Sequence, residues 1–300
     1  MNYHEQNRGI LRLRLRRVLF SSLHPWLRLW RLRKRIEYLA KKIIAKLINI
    51  YRQSSFRPFK NILQNLYLKY IKPKMLENRI VIAAADNGIK YELNLNNPQD
   101  NEIYYGGCYE PTVVRVIKKY VGPGMTVFDI GAHSGSHTLR FAKIVSEKGK
   151  VIAIEPDDKI LLKLERNLRL NNFNNIIVEK IAFSDANRED KEITLDEYVK
   201  KNKVEKIDFM KIDTDGYEYK IIKGGLNSLK KFRPIMVMEF TKVGPERYGD
   251  NLEDLIDLLG SSGYSIFSDR SLKEYKNKES ILDAISPGAV INVLLKPTKK

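Results

Sequence analysis

Residues 127–139, VFDIGAHSGSHTL, join an apolar run, an acid and two glycines four residues apart to the start of an amphipathic stretch. Gly131 and Gly135 let backbone N–H groups come close to a ligand just after a strand and just before a helix. Two features argue against a dinucleotide phosphate there. His133 stands where a second close glycine is expected, so the Gly-x-Gly-x-x-Gly pattern is absent. Asp129, when ionised, repels a pyrophosphate seated on the following helix. An amino-acid group beside a sulfonium reverses that sign, because both its ammonium and the sulfonium favour a carboxylate. The loop therefore points towards S-adenosylmethionine. Asp129 can also cap the loop by accepting backbone N–H bonds, and the two roles are compatible.

Glu155 lies at the end of the next apolar run, where a carboxylate can accept from both hydroxyls of a ribose. NAD enzymes use the same device, so Glu155 indicates an adenosine ligand without choosing the cofactor. After the third run, AFSD (182–185) falls near the expected adenine. Ser184 and Asp185 are candidate contacts there, with Asp185 able to accept from the exocyclic amine; a simple turn is the competing role. DTDGYE then gathers Asp213, Asp215 and Glu218 at the end of a fourth run, and Glu239 ends a fifth. Asp213 can instead cap the following helix, and Glu218 can be a first-turn acid favoured by the helix dipole. His133 and His137 have a spacing open to metal ligation, but no matched third ligand accompanies them. The carboxylates could hold Mg²⁺ through oxygen; their spacing does not require a metal.

The elements that position these residues are legible as short β-branched runs alternating with helical stretches. MTVFDIG, KVIAIEP, NIIVEKIAF, IDFMKID, RPIMVMEF, YSIFSD and AVINVLLKP read as strands. SHTLRFAKIVSE and DDKILLKLERNLRLNN read as helices, with others near 217–231 and 251–262. Such alternation predicts an α/β fold with a doubly wound, mostly parallel sheet and ligands at the carboxyl ends of its strands. Residues 269–289 show no clear crossover helix, so the last strand is expected to be antiparallel. Ahead of this, RIVIAAADNGIKYELNL (79–95) predicts a hairpin turning at Asp86-Asn87-Gly88.

The net charge of +18 is concentrated at one end. Residues 1–79 carry 20 Lys/Arg against 3 Asp/Glu, and the rest carry 34 against 33. Residues 11–20 alternate with period two. From 26 to 51, Leu29, Leu32, Ile36, Leu39, Ile43, Leu47 and Ile48 recur at helical spacing among lysines and arginines. A second helix is possible over 59–71. The expected organisation is a basic amphipathic helical arm, 1–78, and a catalytic-type domain, 79–300. With Trp26 and Trp30 at its start, the arm suits an anionic membrane surface. Nucleic acid, or docking on protein, can account for the same charges. No apolar run is long enough for a spanning helix or has the form of a signal peptide. The single Cys108 excludes intrachain disulfides and suits a reducing compartment. A cytoplasmic protein is expected, peripheral to the inner membrane surface if the arm binds lipid.

The order of these motifs resembles the FkbM family of S-adenosylmethionine-dependent methyltransferases, over about residues 104–240. GCYEPTVVRVIKKYVGPGMTVFDIGAHSGSHTL is similar to its opening, VIAIEPDDKILLKLERNLRLNN to its second block, KIDTDGYEYKIIKGG to its fourth and LKKFRPIMVMEF to its ending. The resemblance implies a class I methyltransferase fold: seven strands, the last antiparallel between its neighbours. It also implies hydroxyl acceptors on glycans or natural products. DTDGYE becomes the substrate-side motif, with Asp215 the first candidate for base or hydroxyl orienter and Asp213 the second. Glu218 and Glu239 complete the acidic cluster. Glu110, with Tyr104 and Tyr105, is implied as a lid whose carboxylate meets the methionine ammonium; packing on the sheet end is the alternative. The sequence departs from the family at His133, where asparagine is usual, and at Thr214-Asp215-Gly216, where Val-Glu-Gly is usual. Asp is shorter than Glu by one methylene, about 1.5 Å.

The expected function is S-adenosylmethionine-dependent O-methylation of a sugar, glycolipid or related compound. Two alternatives stand beside it: methylation of nucleic acid, and a non-catalytic binding module on a methyltransferase fold.

Overall fold

The computed structural model describes residues 29, 30, 32–43, 46, 79–85, 88–188, 192–286 and 288–298. The chain divides into two compact units, Met1–Ile48 and Asn49–Lys300. In the first, every described residue from 29 to 46 is helical. Glu37 braces that helix between Lys34 (3.6 Å) and Lys41 (3.4 Å), at i±3 and i±4 spacing. Leu29, Trp30, Leu32, Ile36, Leu39 and Ile43 all lie exposed on it. Trp26, Leu47, Ile48, the alternating run 11–20 and the stretch 59–71 lie outside the described residues.

The second unit opens with an antiparallel pair, β1 (Ile80–Ala84) and β2 (Lys90–Asn94), closed by Ala84 opposite Lys90. Gly88 takes a φ of +76° in the connection; Asp86 and Asn87 of the expected turn lie outside the described residues. Two helices follow that the strand-and-helix alternation did not single out, α1 (Pro98–Gly106) and α2 (Pro111–Tyr120). Each begins with proline, whose missing N–H has no helical partner at that position. The Asn97 side chain caps α1 by accepting from the N–H groups of Gln99 and Asp100.

The alternating part then runs β3 (Thr126–Ile130), α3 (Thr138–Val145), β4 (Lys150–Ile154), α4 (Asp158–Arg169) and β5 (Ile176–Glu179). The expected single run 175–183 breaks after Glu179. Its end, β6 (Ala182–Phe183), pairs instead with β7 (Glu192–Ile193) in a small separate sheet. Next come α5 (Leu195–Lys201), β8 (Phe209–Ile212), α6 (Glu218–Lys223) and α7 (Leu226–Phe232). The expected continuous helix near 217–231 is interrupted by Gly224-Gly225, because the chain crosses Ser184 there. A Cβ on Gly224 would lie 2.0 Å from the Ser184 carbonyl oxygen. The chain ends with β9 (Ile235–Thr241), α8 (Leu252–Ser261), β10 (Tyr264–Ser268), a short α9 (Lys278–Leu282) and β11 (Val290–Pro297).

Seven strands form one sheet in the order β10-β11-β9-β8-β3-β4-β5. All pairings are parallel except those of β11, which lies antiparallel between β9 and β10. This is the expected α/β doubly wound sheet, with the last strand reversed. Buried apolar side chains cover both of its faces. Phe128, Phe183 and Tyr198 pack as one aromatic group on one side, and Phe141 meets Phe209 on the other.

The chain leaves β3 for β4 on one side and returns to β8 on the other, so a crevice opens between the carboxyl ends of β3 and β8. Gly131 closes the bottom of that crevice with φ +77°, and a Cβ there would lie 1.8 Å from the Asp213 carbonyl oxygen. Gly131→Ala is expected to force the two strand ends apart and cost about 3 kcal/mol, measured by equilibrium denaturation against the wild-type chain.

Candidate active site

Above the β3–β8 crevice lies a cavity of about 350 Å³ that brings together Gly131, His133, Glu155, Asp213, Asp215 and Glu239. Tyr109 and Gln99 close it from the α1–α2 side. A second, apolar cavity of about 220 Å³ adjoins it, sharing Gly131, Pro156 and Thr214, and is lined by Ile154, Phe183, Tyr217, Ile221 and Tyr248. The sequence thus built one polar and one apolar chamber along the strand ends. A larger cleft of about 450 Å³, bordered by Glu179, Arg188 and α5, contains none of the expected site residues.

The glycine turn is held from several sides. The Tyr91 hydroxyl donates to the Ser136 carbonyl (3.1 Å), and Asn167 of α4 donates to the Ser134 carbonyl (2.8 Å). The His133 N–H donates to Glu155 Oε2 (2.9 Å), and the Asp157 N–H donates to Oε1 (3.0 Å). Glu155 is therefore buried and fixed in direction, with acceptor capacity left on each oxygen. His133 takes φ +48°, a region where both His and Asn are enriched among non-glycine residues. The departure from asparagine thus keeps the backbone turn. Burial, then the Lys163 charge, holds the His133 imidazole below its ordinary pKa.

Asp129 is buried, and its Oδ2 accepts from the Thr138 hydroxyl (2.6 Å), while Oδ1 has no partner. Burial raises its pKa against the opposing charges of Lys211 and His137. Directly across the β3–β8 ladder stands Lys211, 2% exposed, whose Nζ donates to Asp213 Oδ2 at 2.7 Å. Burial alone would lower the pKa of this lysine; Asp213, Asp129 and Glu110 overcome that and raise it. The sequence reading passed over Lys211. The available signal was a lysine inside the apolar strand FMKI, two residues before an acid and hence on the same strand face.

Glu110 joins three elements at the edge of this group. Its Oε2 meets His137 Nε2 (3.0 Å) and its Oε1 accepts from Asn292 of β11 (2.7 Å). Burial would raise its carboxyl, but the His137 bond and charge, then Lys211 and Asn292, bring it to about 2. It is an anchor between helix starts and sheet and does not line the polar cavity. Tyr105 is buried, which suits packing.

Among the acids after β8, Glu218 is buried and accepts from both the N–H (2.8 Å) and hydroxyl (2.9 Å) of Thr214. It shapes the turn and does not line the cavity. Asp213 and Asp215 do line it. Asp215 is exposed at the rim with φ +55°, a conformation in which Asp is well tolerated. Ser184 and Asp185 lie past Phe183, outside both chambers' linings. Asp185 pairs with Arg188 (3.3 Å) and Lys223 (3.4 Å), and Arg188 Nη1 donates to Ser184 Oγ (3.1 Å). Two aromatic residues missed by the sequence, Tyr217 and Tyr248, stack edge to face over the apolar chamber with centroids 4.4 Å apart. Among the described residues no group of three or more His, Cys, Asp and Glu side chains is arranged to hold a metal.

Glu239 has a pKa raised to about 9, by burial first and then by Asp213, Glu218, Asp215 and Glu110. An ordinary glutamate titrates at about 4.3 when unfolded. The folded form therefore holds a proton that the unfolded chain loses, and this contribution to stability fades as pH rises from about 4.3 towards 9. Glu239→Gln mimics the neutral form, so its thermal midpoint should gain on the wild type with rising pH through that window. Parallel melting curves at every pH would contradict it.

Comparison with known proteins adds two overlapping family matches: residues 109–187 fit the protein-L-isoaspartate (D-aspartate) O-methyltransferase model, and residues 181–266 fit the methyltransferase FkbM domain. Ribosomal protein L11 methyltransferase of Caldicellulosiruptor bescii is 35% identical over 107 residues, covering 34% of this chain and 34% of that protein. The chain spans about a third of the length of the curated relatives it matches. Among solved structures, a SAM-dependent methyltransferase from Aquifex aeolicus is similar at 17% identity and TM-score 0.39, covering 62% of this chain and 89% of that one. Fibrillarin from Aeropyrum pernix, solved with natively bound S-adenosyl-L-methionine, is similar at 15% identity and TM-score 0.38, covering 58% and 68%. Both family matches are to methyltransferase models, and the methyltransferase FkbM domain model covers residues 181–266.

Proposed function

We propose that this chain is an S-adenosylmethionine-dependent methyltransferase acting on a hydroxyl group of a sugar, glycolipid or related natural product. The observation that carries the cofactor is the sign of the turn's surroundings. Asp213 and Glu155 line the cavity beside Gly131, while Asp129 lies buried at the end of β3 opposite Lys211 in the ladder, an arrangement suited to a cationic amino-acid end and hostile to a pyrophosphate. The unpartnered Oδ1 of Asp129 fits a demand for one more donor. Glu155 has acceptor capacity for the ribose, and the chamber of Phe183, Ile221 and Tyr217 has the apolar walls an adenine needs. When bound, S-adenosylmethionine supplies an electrophilic methyl group on a sulfonium.

The chain's own part is to orient the acceptor and take its proton. Asp215, at the rim, is the first candidate for base or hydroxyl orienter, and Asp213 the second, already held by Lys211. The neutral Glu239 is able to donate a hydrogen bond to an acceptor oxygen. Glu218 acts through Thr214 by shaping the turn on which Asp215 sits. A second acceptor class is favoured by the relatives named as ribosomal protein L11 methyltransferases: a protein. A nucleic-acid acceptor fits the basic arm. For the arm itself, the exposed Leu29, Trp30, Leu32, Ile36, Leu39 and Ile43, amid a large excess of positive charge, suit an anionic lipid surface. No helix among the described residues is long and apolar enough to cross a membrane.

Titration calorimetry with S-adenosylmethionine and with NAD tests the cofactor; binding of NAD alone would refute it. With an acceptor in hand, Asp215→Asn is expected to lower kcat by about 10²-fold or more while leaving cofactor affinity near wild type. Unchanged turnover would remove Asp215 from the chemistry. Flotation of the full chain with vesicles should require anionic lipid and weaken with salt. Equal flotation on neutral vesicles would count against the electrostatic part.

A further inference from the structure

The apolar chamber does not contain the acid that the motif order assigned to it. Asp185 is held by Arg188 and Lys223 and lines neither chamber. Among the described residues that line the apolar chamber, Glu192 has the one charged side chain. It opens β7 and pairs in register with Ala182 of β6, itself part of the chamber wall. Side chains alternate between the two faces of a strand, so this register puts Glu192 on the same face as Ala182.

Two backbone bonds between Arg188 and Glu192, of 2.9 and 3.1 Å, fix the start of β7. Arg188 Nη1 also donates to Glu192 Oε2, and a carboxylate can accept further bonds beyond that one. Burial, then the Glu192 charge, raises the pKa of the Tyr217 hydroxyl, which sets the carboxylate beside the aromatic wall of the chamber. That wall is rigidly mounted. A Cβ on Gly216 would lie 2.4 Å from the Gly244 carbonyl, so the turn bearing Tyr217 meets the segment leading to Tyr248 backbone to backbone. Lys220 Nζ lies 5.1 and 5.7 Å from the centroids of these two rings. Aromatic walls accept any base by its face. An acid at the edge of the base is selective, because it can only accept.

We propose that Glu192 determines which base the cofactor carries: its carboxylate accepts a hydrogen bond from the exocyclic amine of an adenine in the apolar chamber, the task that the sequence pattern gives to Asp185. This rests on the cofactor assignment above. Arg188 acts through Glu192 by holding its Oε2. A 6-oxo purine sets an acceptor where adenine has its amine, and two acceptors then face each other with no hydrogen between them.

The test is titration calorimetry of the full chain with S-adenosylhomocysteine and with S-inosylhomocysteine, its 6-oxo analogue. The wild-type chain is expected to favour the amino compound about thirtyfold, as one hydrogen bond to a charged group allows. Glu192→Gln keeps the length of the side chain and adds a donor. Its preference should fall to about threefold or less, with the 6-oxo compound bound more tightly than by the wild type. Asp185→Asn should keep the wild-type preference. Equal binding of the two compounds by the wild-type chain would overturn the proposal and leave the cofactor assignment standing, and that comparison needs no variant to fold. A preference that survives Glu192→Gln would overturn it too, and its loss in Asp185→Asn would return the task to Asp185. Failure of the wild-type chain to bind either S-adenosylmethionine or S-adenosylhomocysteine would overturn the cofactor assignment and this inference together.

Discussion

The contact between Gly131 and the Asp213 carbonyl is the constraint on which the site depends. It brings the end of β3 against the end of β8 so closely that no Cβ fits between them. The switch in chain direction between these two neighbouring strands opens the crevice, and this contact closes its floor. Because they touch here, the glycine turn and the acids after β8 face one cavity. The same adjacency sets Asp129 opposite Lys211 in the ladder and makes the polar group beneath the cavity a cross-strand feature.

Around that contact the remaining elements act as clamps. Tyr91 and Asn167 fix the turn's carbonyls, Glu155 fixes its N–H at His133, and Glu110 ties the starts of α2 and α3 to β11 through His137 and Asn292. Each bond satisfies a group that burial would otherwise penalise. The turn therefore presents a preset arrangement of donors and carboxylates, which lowers the ordering cost of binding. Electrostatics divide labour among the acids. Glu110 is driven low by its partners, Glu239 is driven high by its neighbours, and Asp129 is pulled both ways.

Much of this was legible in the residues. Alternating β-branched runs and helices implied the sheet, and a missing crossover helix after residue 269 implied the reversed strand. The α9 segment that does occur there is one short turn of helix and leaves that outcome intact. Apolar spacing predicted a helix over 26–51, and every described residue from 29 to 46 is helical. Gly131, His133, Glu155, Asp213, Asp215 and Glu239, drawn from four separate strand ends, do meet in one cavity. Asp129 and Gly135 lie outside both linings, the one buried against Thr138 and the other packed against Leu164, and Glu218, Glu110, Ser184 and Asp185 sit beside the chambers as well. Their side chains are taken up by Thr214, by His137 and Asn292, and by Arg188 and Lys223. A linear pattern cannot report such competition, since His137, Asn292 and Lys223 lie far away in sequence, and Thr214 and Arg188 stand in ordinary-looking segments.

Sequence by itself determined the strands of the main sheet and their order along the chain, because period and glycine placement are local properties of the chain. It also determined the sign of the charge at the end of β3, and so the kind of ligand that end can tolerate. Only the tertiary structure decided which acids are free and which are occupied, and that Lys211 stands among them. Those outcomes depend on register between β3 and β8 and on burial, and both are set when distant strands pair.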